Sequence, residues 1–155
     1  MLRKVLLILI IVFGVSACSQ ESPKKDKSSS IKKEAKTNFK PKAEKFADLG
    51  KKIYNLHCMT CHMDKGQGLN PTYPPLAGTD YVNGDVDRLL GIILNGLNGP
   101  IEVLGKEYNS AMTPYSFLKD EEIAAVATYV RSSFGNEASA VSAAQVAKAR
   151  KEVKK

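Results

Sequence analysis

An all-α fold is predicted for residues 43–155: a small helical domain wrapped around one covalently held group. Three observations carry this. Apolar residues recur at helical spacing in separate segments. Cap residues and glycines bound most of those segments. Finally, Cys58-Met59-Thr60-Cys61-His62 reads C-x-x-C-H, the attachment signature of a c-type haem. Thiols at this spacing can add to the two vinyl groups of one haem, and the histidine is then placed against the iron as proximal ligand. A C-x-x-C redox pair does not require that histidine. A zinc site needs two more ligands, and only Cys18 and His57 remain to supply them.

The first helix is expected from Ala43 to His57, with Phe46, Leu49, Ile53 and Leu56 on its apolar face. Gly50 within it costs stability relative to alanine, which points to a close helix contact there. After the haem motif, Gly66, Gly68, Pro71, Pro74, Pro75 and Gly78 exclude regular structure. A second helix spans Val86 to Asn95, with Asp85 as N-cap and Gly96 just past its end. Gly99, Pro100 and Gly105 mark loops, and Ile101-Glu102-Val103 is a short strand near Leu104-Gly105. A third helix spans Asp120 to Ser133. Asp120, Glu121 and Glu122 sit at its positive end, and Ile123, Val126, Ala127 and Val130 give it an apolar face. Ser142 and Gln145 form a capping-box pattern that opens a fourth, basic helix.

Upstream of the domain the chain changes character. Residues 1–17 have a positive start at Arg3 and Lys4 followed by an apolar run, as a signal peptide does. Val15-Ser16-Ala17-Cys18 resembles the bacterial lipobox, which implies cleavage before Cys18 and its acylation. The apolar run is shorter than the roughly 20 residues of a spanning helix. Residues 18–42 are read as a lipidated anchor and a flexible Lys/Ser-rich linker, with an r.m.s. reach of roughly 25–30 Å. The linker lysines and the basic stretch Lys148–Lys155 account for the net charge of +7, whereas residues 43–147 are acidic. The basic charge lies in a linker and a tail without clustered aromatics, so a nucleic-acid partner is excluded.

The domain resembles a class I cytochrome c over about residues 43–135. Gly50 and Tyr54 stand in the family's Gly-x-x-x-aromatic arrangement, Tyr129 is the aromatic of the crossing C-terminal helix, and Gly66-Gln67-Gly68 matches the loop after the haem motif. The resemblance implies that the Pro74 carbonyl accepts the ring N–H of His62, and that Met112-Thr113-Pro114-Tyr115 brings the axial methionine. Lys119 departs from the pattern, standing where relatives often carry a Ser or Thr helix cap. Pro75 to Val82 and Ala124 to Asn136 are similar to cytochrome c domains that serve periplasmic quinoprotein dehydrogenases, copper nitrite reductases and terminal oxidases.

Elimination reaches the same sixth ligand. Met1 leaves with the signal, Met59 lies between the thioether cysteines, and Met63 follows His62 on the same side of the ring. Met112 remains, and His57, next to Cys58, is read as a surface or helix-end histidine. With both axial positions filled, no small-molecule substrate has an open site on the iron. The expected function is single-electron transfer, without enzyme activity, between redox protein partners. The expected place is the cell envelope, with membrane lipid held through acylated Cys18 and the haem domain in the periplasm or otherwise outside the cytoplasm. The alternative is a five-coordinate haem sensor or a peroxidase-like enzyme. The haem pocket is expected to draw on Leu76, Tyr81, Leu89, Ile92, Ile93, Leu97, Tyr108, Tyr115, Phe117 and Ile123.

Overall fold

The structure is a computed structural model that describes residues 40–153. The signal segment 1–17, Cys18 and nearly all of the expected linker lie outside the described residues. In chain order the elements are α1 (Lys40–His57), α2 (Met59–His62), α3 (Asp80–Asn83), α4 (Val86–Asn95), β1 (Ile101–Val103), β2 (Lys106–Tyr108), α5 (Asp120–Ser132) and α6 (Ala143–Val153). Among the described residues, no helix is long and apolar enough to cross a membrane.

Local chemistry sets most of these boundaries. The Asp85 carboxylate accepts the Arg88 N–H at 2.7 Å and opens α4, and Gly96 ends it at φ 72°. Ser142 and Gln145 close the expected box at the start of α6: the Gln145 amide oxygen accepts the Ser142 N–H at 2.9 Å, and the Ser142 hydroxyl accepts the Gln145 N–H at 3.3 Å. At α5, Lys119 occupies the cap position but its side chain has no acceptor. Glu122 compensates by reaching back to the Lys119 N–H at 2.8 Å.

Three features go beyond the sequence expectation. Helix α1 begins at Lys40 rather than Ala43, because Lys42 offers no capping side chain to mark a start. Thr79, whose hydroxyl accepts the Val82 N–H, caps the single turn α3 inside a region expected to be irregular. The strand at Ile101 gains a partner: β1 pairs antiparallel with β2 in the register Ile101↔Tyr108. Leu104 and Gly105 join them with φ of 50° and 73°, the two positive φ values that a tight two-residue hairpin requires.

Helix α5 is the centre of the domain. One side packs Ile123, Ala124 and Ala127 against Leu90 and Leu94 of α4 and Val146 and Ala149 of α6. The other side packs Val126 and Val130 against Ile53 and Tyr54 of α1 and Val82 of α3. Tyr54 is fully buried, with its ring 5.4 Å from Tyr129 and 5.2 Å from Phe134. Its hydroxyl donates to the Met63 carbonyl at 2.6 Å, and burial holds the phenol well above its ordinary pKa. That bond ties α1 to the residue after the C-x-x-C-H run.

Candidate haem site

The chain scarcely breaks its helical course between α1 and α2. The Cys58 N–H donates to the Tyr54 carbonyl at 2.8 Å, and the Cys58 carbonyl accepts from His62 at 2.9 Å and Cys61 at 3.2 Å. Residues three and four apart share one side of such a turn, so Cys58, Cys61 and His62 are presented together. Both cysteines are free thiols and half-buried. Burial, and then the neighbouring Cys61, push the Cys58 thiol up to about 11.

His62 is held by a partner twelve residues on. Its Nδ1 lies 2.9 Å from the Pro74 carbonyl, which can only accept, so the proton sits on Nδ1 and Nε2 keeps its lone pair. Burial lowers the imidazole pKa, although the Pro74 hydrogen bond opposes this, and the ring is therefore held neutral. The turn that delivers Pro74 closes through the Leu69–Tyr73 bridge and a Gly68 N–H donating to the His62 carbonyl at 3.0 Å. A Cβ at Gly68 would lie 2.6 Å from the Pro74 carbonyl, so only glycine allows the approach.

Met112 is fixed from the end of α4. Its N–H donates to the Leu97 carbonyl at 2.8 Å, and its carbonyl accepts from Leu97 at 3.1 Å. A Cβ at Gly96 would collide with the Met112 carbonyl, so a second close approach depends on glycine. Tyr115 secures the following residues. Its N–H donates to the Ile93 carbonyl at 2.9 Å, and its hydroxyl donates to the His57 carbonyl at 2.6 Å.

These elements enclose one cavity. It holds about 810 Å³ not filled by protein atoms, counting its open mouth, which is within the range of cofactor sites. Its lining is almost wholly apolar and includes Cys58, His62, Pro74 and Met112. Cys61 sits in the same helical turn as Cys58 but does not line it. A neutral imidazole nitrogen, a thioether sulfur and an adjacent thiol pair in a dry cavity fit a covalently attached haem.

Of the residues expected in the pocket, Leu76, Tyr81, Leu89, Ile92, Ile93, Leu97 and Tyr115 line the cavity. Tyr108, Phe117 and Ile123 do not. Tyr108 is buried on β2, Ile123 faces α4 and α6, and Phe117 is 68% exposed. The lining also takes in Ile53, Val82, Ile101, Val103, Val126 and Val130, which the sequence did not separate from ordinary core. His57 was expected at the surface, yet it lines the cavity and packs against Tyr115 with ring centroids 5.6 Å apart. Asn136 was also missed. It is buried, and it donates to the carbonyls of Val130 at 2.7 Å and Leu76 at 3.2 Å, tying α5 to the loop beside the cavity.

Fold and site together define a haem-binding electron-transfer protein. The Cytochrome c family model matches residues 47–134, and the chain belongs to that family as a class I monohaem cytochrome c, binding one covalent haem c. Over 91 residues it is 42% identical to cytochrome c-552 of Thermus thermophilus, covering 56% of this chain and 69% of the relative. The same identity holds for the cytochrome c-552 of a second strain of that species, of which 61% is covered. Over 105 residues it is 32% identical to the cytochrome c subunit of the quinone alcohol dehydrogenase of Gluconobacter oxydans. That match spans 65% of this chain but only 22% of the subunit.

Proposed function

We propose that this protein is a membrane-anchored monohaem cytochrome that carries single electrons between exported or membrane redox partners. Cys58 and Cys61 supply the thioethers, His62 Nε2 and Met112 sulfur are the axial ligands, and the Pro74 carbonyl orients His62. Acylated Cys18 supplies the anchor. The observation that carries the reading is that His62 and Met112 line one apolar cavity with Cys58 at its wall.

The haem supplies a one-electron couple, and the chain sets how that couple behaves. The Pro74 hydrogen bond fixes the ring of His62 and raises its donor strength. The thioether of Met112 is soft and favours the ferrous state, which raises the potential. The aliphatic lining keeps water from the metal. The likeness to a quinone dehydrogenase subunit supports redox protein partners of the quinoprotein dehydrogenase class, and nitrite reductases or terminal oxidases are the other classes of the reading.

Met112→Ala tests it. The variant should keep covalent haem, lose the weak far-red sulfur-to-iron band, fall in reduction potential and gain affinity for carbon monoxide. A wild type that already binds carbon monoxide tightly, unchanged by the mutation, would identify a five-coordinate sensor or peroxidase-like protein instead.

A further inference from the structure

Helix α6 lies wholly beyond the residues that match the family, yet one of its side chains grips the loop that carries Met112. Arg150 donates from Nη1 to the Ser116 carbonyl at 2.6 Å and from Nη2 to the Leu118 carbonyl at 2.8 Å. Its Nε donates to the Asp120 carboxylate at 2.9 Å, at the first residue of α5. The guanidinium is well sheltered, its side chain 22% exposed. Val146 and Ala149 anchor the helix beneath it, both buried against α4 and α5.

The path from Met112 to α5 therefore has three ties. Leu97 holds Met112 itself, Tyr115 is bonded to Ile93 and His57, and Arg150 holds Ser116 and Leu118. Leu118 also lines the cavity, so displacing this segment opens the cavity wall. For Met112 to leave the iron, its loop must move away. A planar fork bonded to two successive stretches of that loop and to α5 opposes the motion.

We infer that Arg150 is a positioning residue for the axial methionine: it clamps the 113–119 loop to α6 and so sets how readily an outside ligand displaces Met112 from the iron. The inference rests on Met112 being an axial ligand. Lys148 provides the comparison, because it tethers the same helix to Asp87 at 3.3 Å and touches nothing on the loop.

The test is a titration of the oxidised holoprotein with imidazole, following loss of the far-red sulfur-to-iron band. In Arg150→Gln, imidazole should bind about tenfold more tightly than in wild type, as expected for the loss of charge-assisted bonds from the clamp. In Lys148→Gln it should bind as in wild type. Arg150→Lys keeps the charge and stem but cannot serve both carbonyls and Asp120 at once, so it should show a smaller rise. This variant keeps the test decisive if the glutamine variant folds poorly. Unchanged imidazole affinity in the Arg150 variants, or an equal rise in Lys148→Gln, overturns the clamp. Absence of the band from wild type would instead refute Met112 ligation itself, and the clamp with it.

Discussion

Arg131 carries a charge into a place that offers it no carboxylate. It is 3% exposed, near the end of α5, and among the described residues it makes no ion pair. Its partners are carbonyls instead: Val82 at 2.6 Å, Gly84 at 3.3 Å and Ser139 at 2.8 Å. One rigid guanidinium thus joins the end of α3 to the segment leading into α6, and no single-nitrogen cation has that reach. Val82 also lines the haem cavity, so the joint bears on its wall. Arg131→Met is expected to cost about 3 kcal/mol, because it leaves buried carbonyls without a donor. Arg131→Lys should recover only part of that. Denaturant unfolding of the three holoproteins measures both, and a loss below about 1 kcal/mol for the methionine variant would mean that water replaces the guanidinium at no great cost.

At the scale of elements, the contact between α1 and α5 decides whether the domain assembles. Tyr54, Tyr129 and Phe134 cluster beside it, and Gly50 lets the backbones meet. A Cβ on Gly50 would strike the Ala125 carbonyl and come within 2.8 Å of the Tyr129 Cβ. Two effects oppose each other in Gly50→Ala. Helix propensity favours alanine by about 1 kcal/mol. Overpacking against backbone, which has nowhere to retreat, costs typically about 1–3 kcal/mol and more where the contact is this close. Destabilisation should win by about 2 kcal/mol in chemical denaturation, and a variant as stable as wild type would show that the helices can part without loss. This contact was legible in the sequence, since a glycine inside a helical pattern and an aromatic four residues on are local signals. So were the Asp85 cap of α4 and the Ser142–Gln145 box of α6, which depend on residues three apart. The cavity wall was legible only in part. Ile123 and Val126 share one helical pattern, yet only Val126 lines the cavity, while Ile123 packs toward α4 and α6. Which side of a helix meets a cofactor and which meets another helix is settled by tertiary packing, and periodicity reports only that both are buried. Arg150 and Arg131 were invisible for a related reason, because their partners are backbone carbonyls, which leave no mark on residue type.

The whole molecule poses a question that its helical domain does not answer, namely where the electron carrier is held. No described helix can span a membrane, so on our proposal attachment rests on the segment before the domain. There, Val15-Ser16-Ala17-Cys18 offers one thiol and, after cleavage, one new amino group for acylation. A single acyl chain binds membranes only marginally, and two or more hold durably, so lipidated Cys18 would suffice without help from the domain. The following stretch to residue 42 carries eight lysines against three acidic residues, and those lysines add attraction to anionic head groups. This attraction is screened by salt, whereas acyl burial is not. The two contributions can therefore be told apart in Cys18→Ser. After washing at high salt, wild type should stay with the membranes, and the variant should be released with its haem, visible spectrum and potential unchanged. At low salt a part of the variant should remain bound through its lysines. The mass of the wild-type protein should correspond to a chain beginning at Cys18 plus acyl groups. If the variant instead stays in the membrane fraction at high salt with its N-terminus uncleaved, the apolar segment is a spanning anchor and Cys18 plays no part in attachment.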